Sequence, residues 1–266
     1  MPQANVRAFG DILVYLSAGD NAPARLDAAI ALAAQHGARL IGVDVSDPGV
    51  YDTDRAPAAA ALQDTFEKRV NTAGLTGVFH VATREDAVGW KTLYAHYADL
   101  VVAPTASEAD ARLVLRSVPE EVLLNGGVPV LMIPELWKSG PLGRRVVISW
   151  NASREATRAV HDTLPILMRA EQVTIFAFDA RYPVLREETD LLIGHLKTHG
   201  VTANPFIWPD NGEIEPVDGL FSCLSEEGSD LIVAGGYGHA RWLERLVGGT
   251  SQTLVRTLTV PVVMTH

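Results

Sequence analysis

Little in this chain would staple it, anchor it in a membrane or draw it to a polyanion. One cysteine, Cys223, stands among 266 residues, which excludes an internal disulfide and fits a reducing cytosol. It lies among apolar residues ahead of an expected strand, a packing position rather than that of a nucleophile. No apolar run approaches the roughly 20 residues a membrane helix needs. The opening Met-Pro-Gln-Ala-Asn-Val-Arg lacks the apolar core of a signal peptide. The expectation is a soluble, cytoplasmic protein. Positive charge is in deficit, with 22 Lys and Arg against 32 Asp and Glu and a net charge of -10. That balance argues against nucleic acid or an anionic membrane as partner. The 47% hydrophobic content supports sizeable cores, and the length suits two domains.

Familiar catalytic and phosphate motifs are missing too. A Walker loop needs Gly-Lys-Ser/Thr after four spacer residues, and no Lys follows Gly248-Gly249. The dinucleotide fingerprint G-x-G-x-x-G is absent. His195 and His199 lie four apart on an expected helix, a spacing that can bind a metal, but no Glu follows His195 and no third ligand is evident. No Ser-His-Asp or Cys-His arrangement stands out. No catalytic residue and no metal ligand is therefore assigned.

What is present is a glycine-rich stretch near the C-terminus. Leu231 to Ala234 is a short apolar run that reads as a buried strand, and it leads into Gly235, Gly236 and Gly238. A second pair, Gly248-Gly249, follows with Thr250 and Ser251, after which Gln252 to Leu258 reads as a short helix. Strand, glycine loop and helix start, in that order, make a phosphate cradle. Glycines let backbone N–H groups approach an anion, and the free N–H groups and dipole of the helix start hold it.

The chain also repeats itself. Ala98-Asp-Leu-Val-Val-Ala103 returns as Ser229-Asp-Leu-Ile-Val-Ala234, and Gly127-Val-Pro-Val-Leu-Met-Ile133 as Thr259-Val-Pro-Val-Val-Met-Thr265, at an offset of about 131 residues. Ile12–Ser17 corresponds to Val146–Asn151, and Arg39–Val45 to Gln172–Phe178. The reading is a tandem duplication, with domains at 1–137 and 143–266 and a Pro- and Gly-containing linker over 134–143. Strands are expected near 11–16, 39–45, 77–82, 99–103 and 129–133, then near 145–150, 172–178, 203–207, 230–234 and 261–265. Helical periodicity covers Ala24–His36, Arg154–Met168 and Val184–His199, with Gly200 as a stop. Near-continuous apolar strands alternating with helices predict an α/β fold, each half a parallel sheet with helices on both faces. Asp99 and Asp230 precede the fourth strand of each half, equivalent positions that suggest a cap or turn role.

Gly235, Gly238 and Gly248 spell G-x2-G-x9-G. With "SDLIVAGG" upstream and "VRTLTVPVVMTH" downstream, this resembles the ATP-binding signature of the universal stress protein family. The resemblance implies two doubly wound domains, each with a five-stranded sheet of order 3-2-1-4-5. Ligands of such sheets bind at the carboxyl ends of the strands where the order reverses, here beside Ser149, Trp150 and Asn151. The family's adenine contact at the end of strand 2 maps onto Phe178. The implied nucleotide site is Ser149, Trp150, Asn151, Phe178, Gly235, Gly238, Gly248, Gly249, Thr250 and Ser251, for ATP or a related adenine nucleotide, with or without Mg2+. Two positions depart from the family pattern. Asn151 stands where ATP-binding members carry Asp, and Gly249 where they carry Ser or Thr.

The first half lacks the cradle. Pro104, Ser107 and Arg116 align with Gly235, Gly238 and Gly248, and Pro119 removes an N–H that a helix start would offer. Residues 1–137 therefore read as a degenerate copy. The implied function is a cytoplasmic stress-response protein that binds an adenine nucleotide in its C-terminal half and regulates rather than catalyses. Two alternatives stand beside it: an interaction protein of the same fold that binds no nucleotide, and a slow ATPase, for which no water-positioning base or metal carboxylate cluster is evident. Family domains pair through the last strand, so the two halves can form an intramolecular pseudo-dimer, or two chains a homodimer.

Overall fold

Apolar runs too short to be anything but strands alternate with longer amphipathic stretches, and the computed structural model turns that alternation into two successive sets of five parallel strands. It describes residues 9–17, 22–45, 55–81, 94–105, 121–179, 184–209, 216–236 and 259–266. These fall into two compact units, one of residues 9–139 with Thr259 and one of residues 140–236 with Val260–His266.

The first unit runs β1 (Asp11–Leu16), α1 (Ala22–His36), β2 (Arg39–Asp44), α2 (Arg55–Thr72), β3 (Gly77–Val81), a 3-10 turn at Ala95–Tyr97, β4 (Leu100–Pro104), a helical stretch at 121–125 and β5 (Val130–Ile133). Its strands lie in the order β3-β2-β1-β4-β5, all parallel. The second unit runs β6 (Arg145–Trp150), α3 (Arg154–Asp162), α4 (Leu164–Leu167), β7 (Gln172–Asp179), α5 (Val184–Thr198), β8 (Ala203–Pro209), α6 (Pro216–Glu227), β9 (Leu231–Gly235) and β10 (Val262–Thr265). Its order is β10-β9-β6-β7-β8, again all parallel. Both units thus have the expected order 3-2-1-4-5. The central register repeats as well, with Ile12 paired to Leu100 in one unit and Val146 to Leu231 in the other.

Every residue of β4, β5, β9 and β10 is buried, as expected of parallel strands covered on both faces. The edge strand β3 is exposed or half-buried throughout. In the second unit, α3 packs on β9 and β10, α5 on β7 and β8, and α6 on β6 and β7. Among the described residues, no helix is long and apolar enough to cross a membrane.

Two helix ends show how local chemistry sets the boundaries. Gly200, at φ +78°, ends α5. There the Val201 N–H donates to Leu196 O at 3.1 Å and the Gly200 N–H to Lys197 O at 3.0 Å. The left-handed conformation this closure needs is open to glycine at no steric cost. The expected single helix over Arg154–Met168 is instead two. Pro165 has no N–H to donate and its ring would crowd the carbonyl four residues back, so α3 ends at Asp162. Thr163 takes φ -101°, ψ 3° before α4 begins.

Asp99 and Asp230 fulfil the turn role inferred from their equivalence. Asp99 Oδ2 accepts the N–H groups of Gly10 at 2.7 Å and Asp11 at 3.0 Å. Asp230 accepts those of Gly143 at 2.8 Å, Arg144 at 3.0 Å and Arg145 at 3.2 Å. Each carboxylate ties the start of its unit's first strand to the start of the fourth. Burial pushes the Asp230 carboxyl up from its ordinary value, against the pull of the three N–H donors.

Removing the Asp230 carboxylate leaves several N–H groups without their acceptor. Asp230→Ala is expected to lower the unfolding free energy of the intact chain by about 1.5–3 kcal/mol, the range for hydrogen bonds to a charged group. Asp99→Ala should act in the same sense, and guanidinium chloride melts of the three proteins measure both. Cys223 sits buried on α6. Burial, then Glu227 and Glu226, push its thiol up to about 12. The native chain at pH 8 is expected to leave Cys223 unreacted toward a thiol-exchange reagent, because the thiolate is the nucleophile. In denaturant one thiol per chain should react.

Candidate functional site

In the second unit the chain leaves β6 for β7 and β8 on one side, then returns to β9 on the other. The order therefore reverses between β6 and β9, and the loops at their carboxyl ends flank the crevice where ligands of such sheets bind. Trp150 is the last residue of β6 and Gly235 the last of β9. Ile148 pairs with Val233, and side chains two residues apart on a strand share a face. Trp150 and the absent side chain of Gly235 thus belong to one face of the sheet.

That face is the one α3 covers. A Cβ on Gly235 would lie 2.5 Å from Ala156 N and 2.6 Å from Glu155 C. Glycine is required there because the first turn of α3 rests on the strand end. The structure thus supplies a packing reason for a glycine that the sequence placed in the phosphate cradle. The next residues knit the same edge. The Gly236 N–H donates to Thr265 O at 2.6 Å, Thr265 Oγ1 donates to Glu155 O at 3.2 Å, and Arg158 Nη1 donates to His266 O at 2.8 Å.

The loop from β6 into α3 is held by its own side chains. Asn151 Oδ1 accepts the Ser153 N–H at 3.1 Å. Ser153 caps α3, its Oγ accepting the Ala156 N–H at 3.1 Å, a standard helix start. Ala152 between them sits at φ +57°, alone among the described non-glycine residues in the left-handed region. One lone pair of the Asn151 amide oxygen is therefore engaged by its own loop. Trp150 is buried, and its Nε1–H has no hydrogen-bond partner among the described residues. A buried donor left unpaired is uncommon and calls for an explanation.

Ser149 and Phe178 lie on the other face. Ser149 pairs with Phe176 and Phe178 with Trp208. A Cβ on Gly219 of α6 would lie 3.4 Å from Phe176 Cζ and 3.2 Å from Trp208 Cγ, which identifies this face as the one α6 covers. Both residues are half-buried. The structure therefore brings Trp150, Asn151 and Gly235 together and sets Ser149 and Phe178 across the sheet from the first and last of these. Gly238, Gly248, Gly249, Thr250 and Ser251, and the helix expected over Gln252–Leu258, lie outside the described residues, as do Ser107, Arg116 and Pro119 of the first half.

The corresponding edge of the first unit has a different character. Ser17, Asp44 and Thr105 are buried at the ends of β1, β2 and β4. Arg25 of α1 is buried with them, its Nε donating to Tyr15 O at 3.2 Å. Burial, then the charge of Glu121, push the Tyr15 hydroxyl well above its ordinary value.

Among the described residues, no group of three or more His, Cys, Asp or Glu side chains is arranged to hold a metal ion. The His195–His199 pair does gain a neighbour. His161 Nε2 of α3 lies 3.1 Å from His195 Nε2 of α5, and His199 packs edge-on against His195 with ring centroids 4.9 Å apart. Partial burial, then His161 and His199, hold the His195 imidazole below its ordinary value. No local pattern could announce His161, which stands 34 residues from His195 and meets it only through the packing of two helices.

No protein-family model matches the chain, and no curated protein matches it in sequence. Solved structures match it along its whole length. A universal stress protein from Archaeoglobus fulgidus DSM 4304 superposes with a TM-score of 0.70 at 16% identity, covering 95% of each chain. A candidate universal stress protein from Pseudomonas aeruginosa UCBPP-PA14 gives 0.56 at 14% identity, over 98% of this chain and 95% of that one. A protein of unknown function from Pseudomonas aeruginosa PAO1 gives 0.55 at 14% identity, over 98% and 93%. The fold of the chain is that of the universal stress proteins.

The contact at Gly235 carries its own test. Gly235→Ala places a methyl against helix backbone that cannot swing aside. It is expected to destabilise the second unit by about 1–3 kcal/mol, the range for overpacking, visible as a lower melting temperature. A glycine that merely lined an open cradle would tolerate alanine without loss of stability.

Proposed function

We propose that the second unit binds ATP or a related adenine nucleotide at the β6/β9 edge, and that the chain is a cytoplasmic regulatory protein of the stress response rather than an enzyme. The unpartnered Trp150 Nε1–H carries this reading. It is a buried donor at the end of the first strand, where the sheet order reverses, and a ligand acceptor would satisfy it. The fixed turn at Asn151–Ser153 and the glycine run that opens at Gly235 flank it. The residues described at this edge thus fit a polar ligand whose phosphates are carried by the remaining glycines. The first unit, with Pro104 where the second has Gly235 and with buried polar side chains along the same edge, is a copy that does not bind nucleotide. The nucleotide supplies an occupancy signal, passed on by association with a second copy or a protein partner.

A second reading is favoured by a specific observation. Gly235 has a packing reason, and Asn151 turns an oxygen lone pair to Ser153. Both can serve a ligand-free interaction protein of the same fold. Mass spectrometry of small molecules released from the denatured pure chain separates the two. The nucleotide reading expects ATP or AMP to be released, and calorimetric titration with ATP to give a saturable isotherm. That isotherm should vanish in Gly238→Val and Gly248→Val, where a branched side chain blocks backbone approach to phosphate, and persist in Ser107→Val. Titrations with ATP, ADP and AMP that are all silent, with nothing released, would leave the interaction protein standing.

A further inference from the structure

We propose that His161 and His195 form a surface chelate for a late first-row divalent cation such as Zn2+, Ni2+ or Cu2+, bridging α3 and α5. The two Nε2 atoms lie 3.1 Å apart, and the rings stand nearly perpendicular at 80°. A metal–imidazole bond is about 2.0–2.1 Å, so two nitrogens subtending roughly 90–109° at one ion are separated by roughly 2.8–3.4 Å. The pair already holds that bite distance. Both side chains are exposed, so an ion can reach them from solvent and keep water in its other positions.

Imidazole suits these ions over Mg2+ or Ca2+, which prefer oxygen. In the metal-free chain the same two nitrogens at 3.1 Å make an N–H···N hydrogen bond, with one ring as donor and the other as acceptor. Binding moves that Nε2 proton to Nδ1 of the same ring, a change of tautomer with no net proton release, so that both Nε2 lone pairs are free for the cation. His199, one turn beyond His195 and edge-on to it at 71°, is a positioning residue that fixes the orientation of the His195 ring. Because the ligands come from two helices joined through β7, the ion ties together elements that the backbone connects only indirectly. The site lies apart from the β6/β9 edge in chemistry and does not depend on nucleotide binding.

The test is calorimetric titration of the full chain with ZnCl2 and with NiCl2 in a non-chelating buffer, paired with thermal melts at saturating ion. Wild type is expected to bind one ion per chain above any background and to melt at a higher temperature when loaded, since a ligand that binds only the folded state stabilises it. His161→Ala and His195→Gln should each weaken that site at least tenfold and abolish the melting shift, while their ion-free melts stay close to wild type. His199→Ala should weaken it less. His96→Ala, which alters an exposed histidine of the other unit, should change nothing. Ion binding that is equally strong in His161→Ala and His195→Gln, or no binding by wild type to either ion, would overturn the proposal.

Discussion

One carboxylate in each unit holds the start of the first strand to the start of the fourth. These strands lie side by side in the sheet but far apart in the chain, and a parallel pair has no hairpin to set its register. Asp99 and Asp230 supply what a hairpin would. By gathering the N–H groups at the amino end of the neighbouring strand, each fixes where the two strands begin and therefore where they end. The order of the sheet reverses at that pair, so the fixed ends are the ones that flank the crevice. The separation of Trp150 from Gly235 across the strand pair, and the seating of α3 upon Gly235, both follow from an anchor at the opposite edge.

The two units use this common frame differently. In the second, the strand ends at the reversal point carry a glycine, a capped helix start and an unpaired indole donor. In the first, the equivalent edge buries Ser17, Arg25, Asp44 and Thr105. The two units share one strand order, and the aspartate clamps occur in both where the edge residues differ. What differs lies at the carboxyl ends, where the fold tolerates change because no strand pairing depends on it.

All ten strands were legible to within two residues or so at either end, because buried parallel strands are short apolar runs bounded by turn residues. Helices α1 and α5 were legible from periodicity, and Gly200 from its place after the last periodic residue. α2 and α6 were not. The first is rich in alanine with little apolar stripe, and the second carries Gly219 in its interior, a residue that weakens any helix signal. The structure explains that glycine: α6 lies so close to Trp208 and Phe176 that a Cβ would crowd both rings. The helical periodicity of Arg154–Met168 continues across Pro165, where the structure breaks the helix. The strand order implied by the family resemblance puts Trp150 and Gly235 at the point where the order reverses, and the structure has them at those strand ends. The placement of Ser149 and Phe178 on the far face, and the packing demand on Gly235, follow from register and helix seating, which no single stretch of sequence records.

Ala152 holds a backbone conformation that costs an L-residue about 1–2 kcal/mol. It is held there by an Asn151 side chain that reaches forward to Ser153 and by a helix that Ser153 caps. The ordering of this loop is therefore complete when the chain folds. Any contact made at this turn therefore meets a backbone whose conformational entropy has already been surrendered, and the turn itself adds no further ordering cost.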